Sequence, residues 1–178
     1  MELTIGQKVA YPNQGICRVE QIEGKIVGDA VIPCYLLRVL NDNSIIHVPT
    51  AKADSVGIRP IIGSAQYKRL LSDLGSDFAD ISGDWKTRSR QFMEKLQTGD
   101  VFEAADVMKK LTYLSMEKKL SFREQNLLDK ARFLIISEIS NADCVGECEI
   151  ESEVCRLVES ACSKHRLTKP LTLSATIH

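Results

Sequence analysis

"IRPIIGSAQYKRLLSDLG", residues 58–75, is where the pattern of the chain changes. Up to Pro60 the apolar residues come in short runs rich in β-branched and aromatic types. After it they recur at helical spacing. Tyr67, Leu70, Leu71 and Leu74 share one face of a helix expected over 64–75, with Gly75 as its stop. A switch of period in the middle of a chain predicts two parts built differently, first β and then α.

Reading back from the switch, "KVAY" (8–11), "ICRVEQI" (16–22), "CYLLRVL" (34–40) and "SIIHVP" (44–49) are strand candidates. Turn chemistry separates them at "PNQG" (12–15), at Gly24 and Gly28–Asp29, and at "NDN" (41–43). Pro12, Pro33 and Pro49 fall at strand ends, where a missing N–H is tolerated. Several short strands in so few residues predict a small, strongly bent sheet or a partly closed barrel.

Reading forward, "GSDFADISGD" (75–84) is a loop and "DWKTRSRQFMEKLQTG" (84–99) a helix closed by Gly99. Asp100 with Glu103, and Ser121 with Glu124, have capping-box spacing for two further helices. Their apolar stripes run through Ala104, Met108 and Leu111, and through Leu127, Ala131, Leu134 and Ile135. A last amphipathic segment spans 149–164, and "RLTKPLTLSATIH" after it has no periodicity. Short connections predict an antiparallel bundle. The expected division is 1–62, 63–164 and a flexible tail over 165–178.

Composition narrows the function. The 178 residues are 44% hydrophobic and 26% charged, the range of a folded domain, with a net charge of −1. No apolar run is long enough for a membrane span. No secretory pattern opens the chain, so a cytoplasmic setting and free thiols are expected for its six cysteines. Cys144, Cys148, Cys155 and Cys162 are spaced as one helical face rather than as paired zinc ligands, so no metal is expected. Of His47, His165 and His178, none stands in a nucleophile or metal motif, and no phosphate- or dinucleotide-binding glycine loop occurs. The chain reads as a non-enzyme without a cofactor.

Trp85, the single tryptophan, is followed by Lys86, Arg88 and Arg90. It aligns with Phe92 and Leu96, which is the pattern of a core residue. It also stands in the first turn, from which a side chain can project past a bundle. Lys86 and Arg90, four apart, share a face and could straddle phosphates. A net charge near zero makes any DNA contact local and weak by itself.

"IGQKVAYPNQGICRVEQIEGK", "YLLRVL" and "IIHVPTAKADSVGIRPI" together resemble the RNA-polymerase-interacting domain shared by CarD/CdnL regulators and transcription-repair coupling factors. "WKTRSR", "EKLQTGDVFEAADVMKKL" and "LSFREQNLLDKAR" resemble the CarD/CdnL helical domain, which the coupling factors lack. The resemblance covers residues 3 to about 140. It implies an α+β, multi-domain chain: a Tudor-like small β-barrel followed by a compact all-α bundle. It implies docking on the RNA polymerase β subunit by addition of a strand to a sheet edge, with Lys25, Ile46, His47, Val48 and Pro49 at the contact. His47 departs from a basic family position. It further implies that Trp85 presses into the minor groove at the upstream edge of the transcription bubble, with Lys86, Arg88 and Arg90 on phosphates. Gln125 stands where the family has another basic residue. The function implied is a transcription regulator that stabilises the open promoter complex through weak, non-sequence-specific DNA contact, as a monomer. A protein-only polymerase adaptor with a buried Trp85 is the alternative.

Overall fold

The computed structural model describes residues 1–81, 83–143 and 147–168, apart from the side chains of Asp143, Glu147 and Cys148. It is an α+β chain, as expected. Strands β1 (Lys8–Tyr11), β2 (Gly15–Val27), β3 (Ala30–Val39), β4 (Ile45–Pro49) and β5 (Arg59–Pro60) come first. A 3-10 turn (Thr50–Lys52) and a single-turn helix α1 (Ala53–Val56) link β4 to β5. Helices α2 (Ser64–Leu74), α3 (Trp85–Gln97), α4 (Val101–Glu117), α5 (Phe122–Asp143) and α6 (Glu147–Thr168) follow. Among the described residues no helix is long and apolar enough to cross a membrane.

The sheet has the order β4-β3-β2-β1-β5, and every pairing is antiparallel. Alternation puts Val9, Cys17, Val19, Tyr35, Leu37, Val39 and Val48 on one face, where they bury against Leu3, Ala53 and Ile58. A register shift between Val19 and Gln21 marks a bulge, which adds twist to β2.

Gly24, expected as a turn, lies inside β2 opposite Pro33. Only Gly28 and Asp29 turn the chain, with Gly28 at φ +64°. The strand runs on through Gly24 because Val31 packs over it: a Cβ there would stand 2.6 Å from Val31 Cγ1. Pro33 sits within β3 rather than at its end. It is tolerated because the β3–β4 pairing stops at Cys34, which leaves that edge of β3 open.

The helices bury a second core built from Leu70, Leu74, Phe92, Leu96, Met108, Leu111, Ile135, Ile139 and Val158, among others. Several hydrogen bonds brace this bundle against the sheet, Lys8 to Asn141 Oδ1 at 2.8 Å among them. Arg59 donates to both Glu138 carboxylate oxygens (2.5 and 2.8 Å) and to the Gly99 carbonyl (2.7 and 3.0 Å). Glu138, fully buried on α5, also accepts from the Ile62 N–H at 3.0 Å. At the β1–β2 turn, Lys130 donates to the Asn13 carbonyl. Gly99, at φ +75°, lets Pro12 approach so closely that a Cβ would lie 2.9 Å from its Cγ.

The expected flexible tail from 165 is corrected at its start. Helix α6 continues to Thr168, and His165 is buried. Its Nδ1 lies 2.6 Å from Asp77 Oδ1, and its ring stacks on Phe78 at 4.2 Å with Tyr113 edge-on at 5.0 Å. The end of α6 thereby clamps the loop that leads to Trp85. Residues 169–178, including His178, lie outside the described residues, as do Cys144 and the Cys148 side chain.

Candidate nucleic-acid interface

Helix α3 begins where its sequence says it should. Asp84 is the N-cap: its carboxylate accepts from the Lys86 N–H (3.4 Å), the Thr87 N–H (3.0 Å) and the Thr87 hydroxyl (2.5 Å). Those donors hold the Asp84 carboxyl below the usual carboxylate range. Trp85 follows as the first helical residue and is 58% exposed. The Lys86 ammonium lies 5.7 Å from the centre of its ring, a cation–π contact. Arg90 is exposed, with a loose 3.8 Å approach to Glu94.

Arg88, expected on the same DNA-facing surface, is only 4% exposed. Its guanidinium donates to Glu124 Oε1 at 2.9 Å. This corrects the expectation, and the reason is helical geometry. The buried positions of α3 are Arg88, Ser89, Phe92 and Leu96, so Arg88 falls on the core face one turn before Phe92. The same spacing includes Trp85, but at the first position few neighbours remain to cover it. Arg88 holds helices together; Lys86 is the cation presented beside the indole, and Arg90 is exposed one turn after Lys86.

Glu124 belongs to the expected capping box. The Ser121 N–H and hydroxyl donate to Glu124 Oε2 (3.0 and 2.9 Å), and the Glu124 N–H donates to Ser121 Oγ (3.3 Å). Burial pushes the Glu124 carboxyl up. The Ser121 N–H, Arg88, the Ser121 hydroxyl and Lys118 outweigh that and hold it at about 2. The other expected box forms only by half. Asp100 accepts from the Phe102 N–H at 2.8 Å, but Glu103 turns instead to Lys95 at 2.5 Å.

The Arg88–Glu124 pair brings the starts of α3 and α5 side by side. A cleft of about 230 Å³ opens between them, lined by Trp85, Ser89, Lys118, Ser121, Arg123 and Glu124. Sequence reading passed over Arg123, Lys118 and Phe122. Phe122 is 84% exposed. One signal could have found it. The capping box places Phe122 at the first position of α5, off the stripe of Leu128, Ala131 and Ile135 that the helix buries. Gln125 donates to Asp129 on its own helix (3.0 Å).

In the β part, β4 pairs with β3 alone, so its other edge is open. The register sets Val48 opposite Tyr35 and Ile46 opposite Leu37, both core positions. The Val48 side chain is therefore buried and that of Ile46 packs against the core, which corrects their expected side-chain contact to a backbone one. His47 points outward, with Nε2 3.1 Å from Glu23 Oε1. Pro49 is half-buried, and Lys25 is exposed on the hairpin beyond the end of β4. Sequence position alone does not bring these two groups of residues together: one set lies along the sheet edge, the other at the starts of α3 and α5.

Three thiols, those of Cys17, Cys155 and Cys162, are unsuited to nucleophilic work. Burial pushes Cys17 up to about 12 and Cys162 up to about 11, and raises Cys155 as well. Among the described residues no cluster of three or more His, Cys, Asp or Glu is placed to hold a metal.

Comparison with known proteins matches both parts. Residues 3–62 match the family described as "CarD-like/TRCF RID domain", and residues 69–154 that described as "CarD, C-terminal domain". The Bacillus subtilis (strain 168) protein YdeB, described as a candidate transcription factor, is 30% identical over 148 residues. The match covers 83% of this chain and 97% of that protein. The solution structure of the 72-residue N-terminal domain of Myxococcus xanthus CarD is 36% identical. It covers 33% of this chain and 79% of its own, with a TM-score of 0.29.

Proposed function

The chain belongs to the CarD/CdnL family of transcription regulators, and from that premise we propose that it bridges RNA polymerase and promoter DNA and stabilises the open complex. In this reading residues 1–62 face the polymerase and residues 63–164 face DNA. The open edge of β4 accepts a strand of the β subunit through main-chain hydrogen bonds. His47 lies on that edge strand, and Lys25 stands on the β2–β3 hairpin beyond its end.

One observation carries the DNA half. The only tryptophan in the chain is exposed at the start of α3, while Phe92 and Leu96 of the same helix are buried. An indole costs free energy when left in water, and here it stands beside exposed Lys86, with exposed Arg90 one turn further along the helix. In a widened minor groove at the edge of melted DNA, the ring opposes restacking, and the cations take flanking phosphates. The sheet holds the polymerase and the bundle holds the DNA, so weak contacts act at high effective concentration. A preference of ~1.4 kcal/mol for the open over the closed state multiplies open complexes about tenfold. The adaptor alternative requires a covered indole, and 58% exposure disfavours it.

The test is promoter-opening kinetics with polymerase holoenzyme, comparing the wild-type chain with Trp85→Ala. The expected result is loss of most of the stimulation with polymerase binding retained. Equal stimulation by the two proteins would sink the wedge.

A further inference from the structure

Phe122 has no role in the packing of the bundle. It stands at the first position of α5 with 84% of its surface exposed, more than any other large hydrophobic residue in the described protein. It is not half of a hydrophobic staple, because that motif pairs the residue before the N-cap, here Leu120, with the fourth helical position, here Gln125. Its neighbours on both sides, Ser121 and Arg123, line the cleft that Trp85 closes from α3. Two exposed aromatic rings are thus carried by the adjoining starts of two helices, tied by Arg88 and Glu124 at 2.9 Å.

Charge decides what such a surface takes. Glu124, the carboxylate that lines the cleft, receives Arg88 at 2.9 Å and Lys118 at 3.7 Å, and Asp84 is engaged as the cap of α3. Lys86 and Arg123 are exposed and make no ion pair among the described residues. Flat rings among cations, with the acid that lines the cleft paired to Arg88 and Lys118, match a nucleic-acid strand whose bases have left the duplex stack. Aromatic faces stack on such bases, and guanidinium groups hold the phosphates between them.

We propose that Phe122 and Arg123 form a second nucleic-acid contact beside Trp85: the Phe122 ring stacks on a base unpaired at the bubble edge, and Arg123 holds an adjoining phosphate. The inference rests on the reading of Trp85 as DNA-facing. It adds a grip on the melted strand to the wedge against the duplex. Arg123 supplies, two residues earlier, a positive charge that Gln125 does not carry.

The experiment uses the full chain, polymerase holoenzyme and a promoter carrying the fluorescent base 2-aminopurine at successive positions of the upstream bubble edge. Wild type, Phe122→Ala, Phe122→Tyr, Arg123→Gln and Trp85→Ala are compared for open-complex lifetime, base fluorescence and polymerase binding. Phe122→Ala is expected to shorten the lifetime about tenfold, the scale of one base–aromatic stack, and to relieve quenching at one position. Phe122→Tyr, which keeps the ring, restores both. Arg123→Gln lowers the salt dependence of the lifetime by about one counterion. Wild-type lifetime and quenching in Phe122→Ala, with loss in Trp85→Ala, overturns the second contact and leaves the wedge standing. Wild-type behaviour in both variants overturns the wedge as well. Loss of polymerase binding in Phe122→Ala overturns the inference in favour of a protein contact.

Discussion

Removing Arg88 should destabilise the helical part rather than strip a DNA contact from it. The pair with Glu124 is buried on both sides, with side-chain exposures of 5% and 9% at 2.9 Å. Cutting it by Arg88→Leu leaves the buried carboxylate its two Ser121 donors and Lys118 at 3.7 Å but no close cation. That typically costs ~3–5 kcal/mol. The depressed Glu124 carboxyl gauges all of its contacts together, the Ser121 N–H first and then Arg88, the Ser121 hydroxyl and Lys118. A carboxyl held at about 2 against an ordinary 4.5 corresponds to about 3 kcal/mol of linked stability. Its folded value is depressed, so this stability is present above the unfolded value near 4.5 and is lost as pH falls from there toward 2. At roughly 2–4 °C per kcal/mol for a protein of this size, Arg88→Leu should melt about 10 °C lower. Glu124→Leu should fall by a similar amount. The double variant, which leaves no unpaired charge, should recover much of the loss, with a coupling of at least about 2 kcal/mol. Circular dichroism melts and urea unfolding would measure all four proteins, and acid titration of the wild type should show the loss of stability below 4.5. An Arg88→Leu protein that melts like wild type yet fails at promoters would refute the reasoning. It would return Arg88 to the DNA surface.

Three further outcomes are expected. Glu138→Ala removes the acceptor shared by Arg59 and the Ile62 N–H, so limited proteolysis between sheet and bundle should speed up while each part keeps its secondary structure. Gly99→Ala must hold an alanine at φ +75° against Pro12, and should lower stability by about 1–3 kcal/mol in denaturant unfolding. Cys17 and Cys162, pushed up to about 12 and about 11, should resist iodoacetamide at neutral pH in the native protein and react on unfolding, as followed by mass spectrometry.

Much of the candidate site was legible residue by residue, and the exceptions share a cause. Trp85 and Asp84 could be placed at the start of a helix from local chemistry alone. So could the Ser121–Glu124 box. Even the burial of Arg88 was latent in its spacing from Phe92 and Leu96, but three cations in a row read more readily as one surface. Glu103 departed from its expected box because Lys95, on the preceding helix, offers a charged partner that outcompetes a backbone N–H. Gly24 read as a turn because the cross-strand Val31 that packs over it cannot be seen from one strand.

The sequence by itself determined the two-part plan, the strands and helices and their caps, since these depend on periodicity and on groups within a few residues of one another. Tertiary structure decided which charges face water. Arg88 meets its carboxylate 36 residues away, and His165 meets Asp77 at a separation of 88. Such pairings are selected by how helices pack, an outcome of the whole core rather than of any local stretch. That packing alone brings Trp85 of α3 and Arg123 of α5 to one cleft.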